Sequence, residues 1–135
     1  MSEFVLHETL AADTAEVARW PLCHVLLMKD SRYPWLILVP ARAGIRDLHH
    51  LNPTDQAVLM TEINRASRAL VKLHSPDKIN VGALGNMVPQ LHIHVIARFR
   101  DDDAWPGPVW GAHPSRPYAP DALDEALHAL RHALT

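Results

Sequence analysis

Residues 90–98 read QLHIHVIAR, and the alternation in that stretch decides how the rest of the chain is arranged. In an extended chain successive side chains point to opposite faces, so Leu91, Ile93 and Val95 share one face while Gln90, His92 and His94 share the other. The first set is wholly apolar and belongs against a core. The second therefore faces a pocket, a partner or solvent. Three uses of such a face compete: a solvated polar surface, a pair of metal ligands aimed at one point, or a nucleophilic imidazole with a supporting neighbour. A metal would need at least one more ligand, and His49, His50 and Asp47 stand at no recognisable ligand spacing from the pair.

The segment just upstream favours the third use. Gly82 and the run GNMVP at 85–89 put a tight loop directly before the histidine strand. Its backbone N–H groups and the Asn86 amide are placed to converge on an anion beside His92.

Working outward, LCHVLLMK at 22–29 and WLILVP at 35–40 read as buried strands joined by the turn KDSRYP, an antiparallel hairpin. TAEVARW at 14–20 is a weaker strand before it, and KINVGAL at 78–84 a short strand before the glycine loop. Asn52 followed by Pro53 and Asp55 marks a helix start, and Val58, Leu59, Ile63, Ala66, Leu70, Val71 and Leu73 give residues 54–73 a helical period. Residues 100–120 hold five prolines and two tryptophans. That density of proline forbids a regular element, whereas tryptophans argue for an ordered arm packed on something. Residues 121–134 form a C-terminal helix with a stripe of Leu123, Leu127, Leu130 and Leu134. This order predicts an α+β fold: an antiparallel sheet of about five strands with one long helix and a C-terminal helix, in a single domain over residues 1–135.

Composition narrows the function classes. The chain has 135 residues, 48% hydrophobic and 21% charged, with a formal net charge of -2. That balance suits one globular domain and gives no support to broad binding of nucleic-acid phosphates. A single cysteine, Cys23, in the apolar run LCHVLLM, rules out an internal disulfide and reads as a core residue. The N-terminus carries acidic residues where a secretory signal would be basic, and no run is long enough to span a bilayer. A cytoplasmic protein with no membrane partner is expected.

With these residues in view, the chain resembles the histidine triad (HIT) superfamily of nucleotide hydrolases and transferases. The signature of that family is His-x-His-x-His followed by two apolar residues, preceded by a glycine and an amide residue, and QLHIHVI matches it with Gln90 in place of the first histidine. WLILVP resembles the family's nucleotide-binding strand, and WPGP at 105–108 is similar to the Trp-Pro segment that follows the histidine strand in the Hint branch. The resemblance runs over roughly residues 22–110. It implies that His92 is the nucleophile, with His94 and Gln90 beside it as catalytic partners. Gly85, Asn86 and Met87, with Asn80 before them, fall on phosphate-binding positions. Leu26, Trp35, Leu36 and Ile37 fall near the nucleoside, with Asp30 as an acceptor for a ribose hydroxyl. Trp105 and Trp110 would line the mouth or bury against a second subunit.

Three departures stand out. Gln90 donates and accepts hydrogen bonds but carries no charge. Trp35 stands where the Hint and Fhit proteins usually have a histidine. Met87 occupies a position often held by Ser or Thr near the leaving group.

The implied reaction is displacement at an α-phosphate through a nucleotidyl-histidine intermediate, on a dinucleoside polyphosphate or nucleoside phosphoramidate. Attack by a neutral imidazole requires no resident cofactor or metal; Mg2+ would arrive carried by the substrate. A homodimer is expected from the family. The alternatives are a nucleotide-binding or sensory module with weakened catalysis, and a His-x-His metal hydrolase.

Overall fold

The structure, a computed structural model, describes residues 3–134. Five strands make one antiparallel open sheet: β1 (Thr14–Arg19), β2 (Cys23–Met28), β3 (Trp35–Pro40), β4 (Lys78–Gly82) and β5 (Ile93–Arg98), in the order β1-β2-β3-β5-β4. Three helices accompany it: α1 (Glu8–Asp13), the long α2 (Pro53–His74) and α3 (Pro120–Ala133). The expected fold class, the hairpin of β2 and β3, the long helix and the C-terminal helix are all present.

Helix α2 begins where its sequence says it should. The Asn52 side chain accepts from the backbone N–H of Asp55 at 2.8 Å, and Pro53 occupies a first-turn position whose N–H would be unpaired in any case. The helix stops at Ser75, which takes a left-handed conformation. Its inward face, with Leu59, Ile63, Ala66 and Leu70, packs on Val25 and Leu27 of β2, Leu36 and Leu38 of β3, and Ile93, Val95 and Ala97 of β5. Leu127 and Leu130 of α3 close the same core. Each such fully buried aliphatic side chain stabilises the fold by about 1.5–3 kcal/mol. Cys23 lies in this core, fully buried, and burial pushes its thiol pKa well up, as suits a packing residue.

A polar residue is built into that helix face. Glu62 is buried, and its carboxylate accepts from the backbone N–H groups of Leu22 at 3.0 Å and Cys23 at 2.8 Å, satisfying the entry to β2.

Two boundaries differ from the sequence reading. Helix α1 has no counterpart among the elements read from the sequence. It has a single buried residue, Leu10, too little for a periodic signal, and is capped by the ring of His7, whose Nδ1 accepts from the Thr9 N–H. Strand β5 begins at Ile93, two residues later than the alternation of 91–99 predicts. The last ladder pair is Gly82 with His94; beyond it β4 leaves the sheet, and the Leu91 N–H donates instead to the Ile45 carbonyl. His92 therefore sits on the lip of the sheet.

Candidate active site

The parity of β5 puts His92, His94, Ile96 and Arg98 on the sheet face away from α2 and α3. Here a smaller core gathers Leu26, Trp35, Ile37 and Ile96 under Leu10 of α1 and Val109 of the 100–120 arm. His92 and His94 are both buried, their rings 4.9 Å apart and steeply inclined to each other.

Their hydrogen bonds assign opposite tautomers. His92 Nδ1 lies 2.7 Å from the carbonyl oxygen of Gln90. A carbonyl only accepts, so the proton of the neutral ring is on Nδ1 and the lone pair on Nε2. His94 Nδ1 accepts from the Trp35 indole N–H at 3.0 Å. An indole only donates, so the proton of the neutral His94 ring is on Nε2. Burial, and then the neighbouring His92, push the His94 pKa down to about 4, which keeps that ring uncharged at neutral pH. One ring thus offers a nucleophilic nitrogen, and the other a neutral N–H donor.

His92 lines a cavity of about 250 Å³ together with Gly85, Leu84, Leu91, Arg46 and His49. Gly85 holds φ at +82°, a conformation glycine adopts without strain. Among the described residues, no backbone hydrogen bond ties down the N–H groups of Gly85, Asn86 and Met87, and the exposed Asn86 side chain has no partner. The loop before the strand is therefore free to donate to an anion. Met87 is 94% exposed. The connection between β3 and α2 brings two basic groups, Arg46 and His49, and one carboxylate, Asp47, to the same cavity; Arg46 carried no signal in the sequence.

Other expected site residues have different work. The Gln90 side chain is spent on the N-terminal segment: Oε1 accepts from the His7 N–H at 2.8 Å, and Nε2 donates to the Val5 carbonyl at 2.8 Å. Asn80 Oδ1 accepts from Arg98 Nη1 at 2.8 Å. Asp30 is buried, and its Oδ1 accepts from the backbone N–H groups of Arg32 at 3.0 Å and Arg116 at 3.4 Å, stapling the arm to the β2–β3 turn. Leu36 points to the opposite face, into the helix-covered core, because strand parity separates it from Trp35 and Ile37. Leu26, Trp35 and Ile37 share the histidine face, and Trp35 acts on His94 directly.

The arm is anchored by a pair that the sequence reading passed over. Arg98, buried at the end of β5, donates to both carboxylate oxygens of Asp102, at 2.8 and 3.1 Å, and to the Gly107 carbonyl at 2.8 Å. Asp102 also accepts from the N–H groups of Phe99, Ala104 and Trp105. Burial alone would raise the Asp102 pKa, but the guanidinium and the three amides outweigh it and hold the carboxyl well below its usual range. The folded arm lays Trp110 against His94, ring centres 5.3 Å apart. Gly82 makes room for it: a Cβ there would lie 2.9 Å from the Trp110 ring. The available signal was parity, since Arg98 continues the His92 and His94 series, with an aspartate four residues on. Among the described residues, no three His, Cys, Asp or Glu side chains gather where they would hold a metal ion.

A family model described as HIT domain matches residues 10–101. The chain is also similar to three solved structures. A histidine triad protein of Bradyrhizobium japonicum is 44% identical over 99% of this chain and 100% of its own, with a TM-score of 0.96. One from Marinobacter aquaeolei VT8 is 47% identical over 98% and 97%, with a TM-score of 0.96. One from Sinorhizobium meliloti 1021 is 44% identical over 97% of both chains, with a TM-score of 0.94. No curated protein matches the sequence.

Proposed function

The chain belongs to the HIT domain family, and on that premise we propose that it is a nucleotide hydrolase or nucleotidyl transferase that cleaves at an α-phosphate through a nucleotidyl-His92 intermediate. The observation that carries this reading is the 2.7 Å contact between His92 Nδ1 and the Gln90 carbonyl, which leaves Nε2 with its lone pair beside the glycine loop. In the first step Nε2 bonds to phosphorus, and the bond to the leaving group breaks with its electron pair going to that group. The His92 ring then carries a positive charge, and the Gln90 carbonyl opposite Nδ1–H stabilises it. The N–H groups of Gly85 and Asn86 and the His94 Nε2–H donate to the non-bridging oxygens, where charge builds up. In the second step water bonds to phosphorus, losing a proton to solvent, and the P–N bond breaks, returning the lone pair to Nε2 and releasing a nucleoside monophosphate.

Dinucleoside polyphosphates and nucleoside phosphoramidates both present the required α-phosphate, and Mg2+ enters only with a polyphosphate substrate. In this reading Gln90 stands at the first triad position. A net charge of -2 suits a small nucleotide better than a nucleic acid, and a nucleotide substrate suits a cytoplasmic location. We further propose a homodimer: the open edge of β4 with Val81, and Met60 on α2, expose apolar side chains around a cavity of about 570 Å³, a surface suited to a second copy.

A second reading, a nucleotide-binding module with slow turnover, is favoured by the exposed thioether of Met87, which donates no proton to a leaving group. A panel of both substrate types, assayed beside calorimetry with adenosine monophosphate, separates the two. Turnover that vanishes in His92→Ala supports the enzyme, and binding without turnover on any substrate supports the module.

A further inference from the structure

We propose that Gln90 is a positioning residue that latches the N-terminal segment across the histidine face and so sets one wall of the nucleoside site. The proposal rests on the nucleotide reading above. Its geometry is specific. The Val5 carbonyl and the His7 N–H flank Leu6, and in a parallel ladder these are the two groups that a neighbouring strand residue engages. The Gln90 primary amide meets both, at 2.8 Å each, with its acceptor and its donor side by side. A side chain thereby substitutes for a strand backbone. An imidazole in its place has ring nitrogens that point apart, so it satisfies one of the two groups at most.

The latched segment shapes a cavity. Phe4 and Leu6 from this segment, with Leu26, His24 and Thr14 from the sheet, line about 430 Å³ on the same face as the catalytic histidines. Phe4 packs edge-on against His24, ring centres 5.0 Å apart. Sequence separations of 83 and 85 residues make the Gln90 bonds long-range ties between the chain start and the histidine strand. Phe4 and Leu6 also pack on the smaller core, and the Gln90 amide adds the backbone ties that fix the register of this wall.

The test uses the full-length chain and its Gln90→Ala, Gln90→Glu and Gln90→His variants. In Gln90→Ala, amide exchange at His7 should accelerate about 10-fold, the effect of losing one hydrogen bond on a surface segment. KM should rise about 10-fold with a much smaller fall in kcat, because the backbone carbonyl that orients His92 survives the substitution. Gln90→Glu keeps the acceptor for His7 and should fall between wild type and Gln90→Ala; Gln90→His should behave like Gln90→Ala. Phe4→Ala should raise KM by itself and add little in the Gln90→Ala background, since both act through the same wall.

Unchanged exchange at His7 in Gln90→Ala overturns the latch, as does a fall in kcat with KM unmoved, which would put Gln90 in the chemistry. If no substrate is turned over, the reaction reading has failed while the latch is still decided, by exchange at His7 and by the affinity for adenosine monophosphate, expected to weaken by the same factor.

Discussion

The two faces of the sheet are built by different rules. The face under α2 and α3 is made of aliphatic side chains whose identity follows the period of their own strand or helix. The opposite face is assembled from segments far apart in the chain: the arm packs on His94, the loop before β5 shares a cavity with His92, and the N-terminal segment is tied to Gln90 beside them. Packing on the first face is non-directional and tolerates any well-fitting apolar residue. Geometry on the second depends on individual donors and acceptors, so each residue there has one job. The difference teaches where stability and chemistry separate in this small domain.

Substitutions break that comparison most strongly at its two extremes. His92→Ala should lower turnover by on the order of 10⁴-fold or more, the scale of removing a covalent nucleophile, while moving the midpoint of urea unfolding little. Leu38→Ala, at the centre of the apolar face, should do the reverse. It should cost about 2–5 kcal/mol in urea unfolding and leave kcat/KM per folded molecule near wild type. Asp102→Ala tests whether the arm belongs to the second face: it strands the buried Arg98 charge at a cost of about 3–5 kcal/mol and should also impair turnover, because the arm that seats Trp110 on His94 is loosened.

A smaller effect separates the two histidines. His94 has its pKa depressed from 6.5 to about 4, so the unfolded chain binds its proton first as pH falls. The stability this group contributes is complete above pH 6.5, is lost progressively as pH drops toward 4, and then levels off, a change of about 3 kcal/mol in all. Urea unfolding across that window should show the slope in wild type, and a shallower one in His94→Gln, which does not titrate there. The smallest effect is expected from Trp35→Phe. It removes the N–H that sets the His94 tautomer and should cost about 1–2 kcal/mol of stability with a roughly 10-fold fall in kcat.

How much of this was legible in the sequence follows the same division. Parity in QLHIHVIAR separated Leu91, Ile93 and Val95 from the histidines, and the Asn52-Pro53-Asp55 signal located α2. Both are local patterns with a fixed period, and the fold confirms them. The glycine turn was also readable, because Gly85 takes a positive φ and lies close in sequence to the strand whose His92 shares its cavity. What escaped is what a period does not encode. Glu62 looks like a surface residue on its helix, yet it closes the entry to β2 from 40 residues away. Asp30 was expected at a ribose, and no local pattern shows that its Oδ1 also holds two backbone amides, one in its own turn and one in the arm. Leu36 was grouped with Ile37 by strand membership, although adjacent residues on a strand face opposite ways. Gln90 reads as a histidine substitute until its partners at Val5 and His7 are known.

The central claim is that His92 Nε2 forms a bond to phosphorus. Protein mixed with a dinucleoside polyphosphate or an adenosine phosphoramidate, quenched in alkali during turnover and digested, should yield one nucleotidyl group on the peptide that contains His92, stable in base and lost in acid. Turnover with no adduct, or an adduct on His94 in its place, would contradict the account.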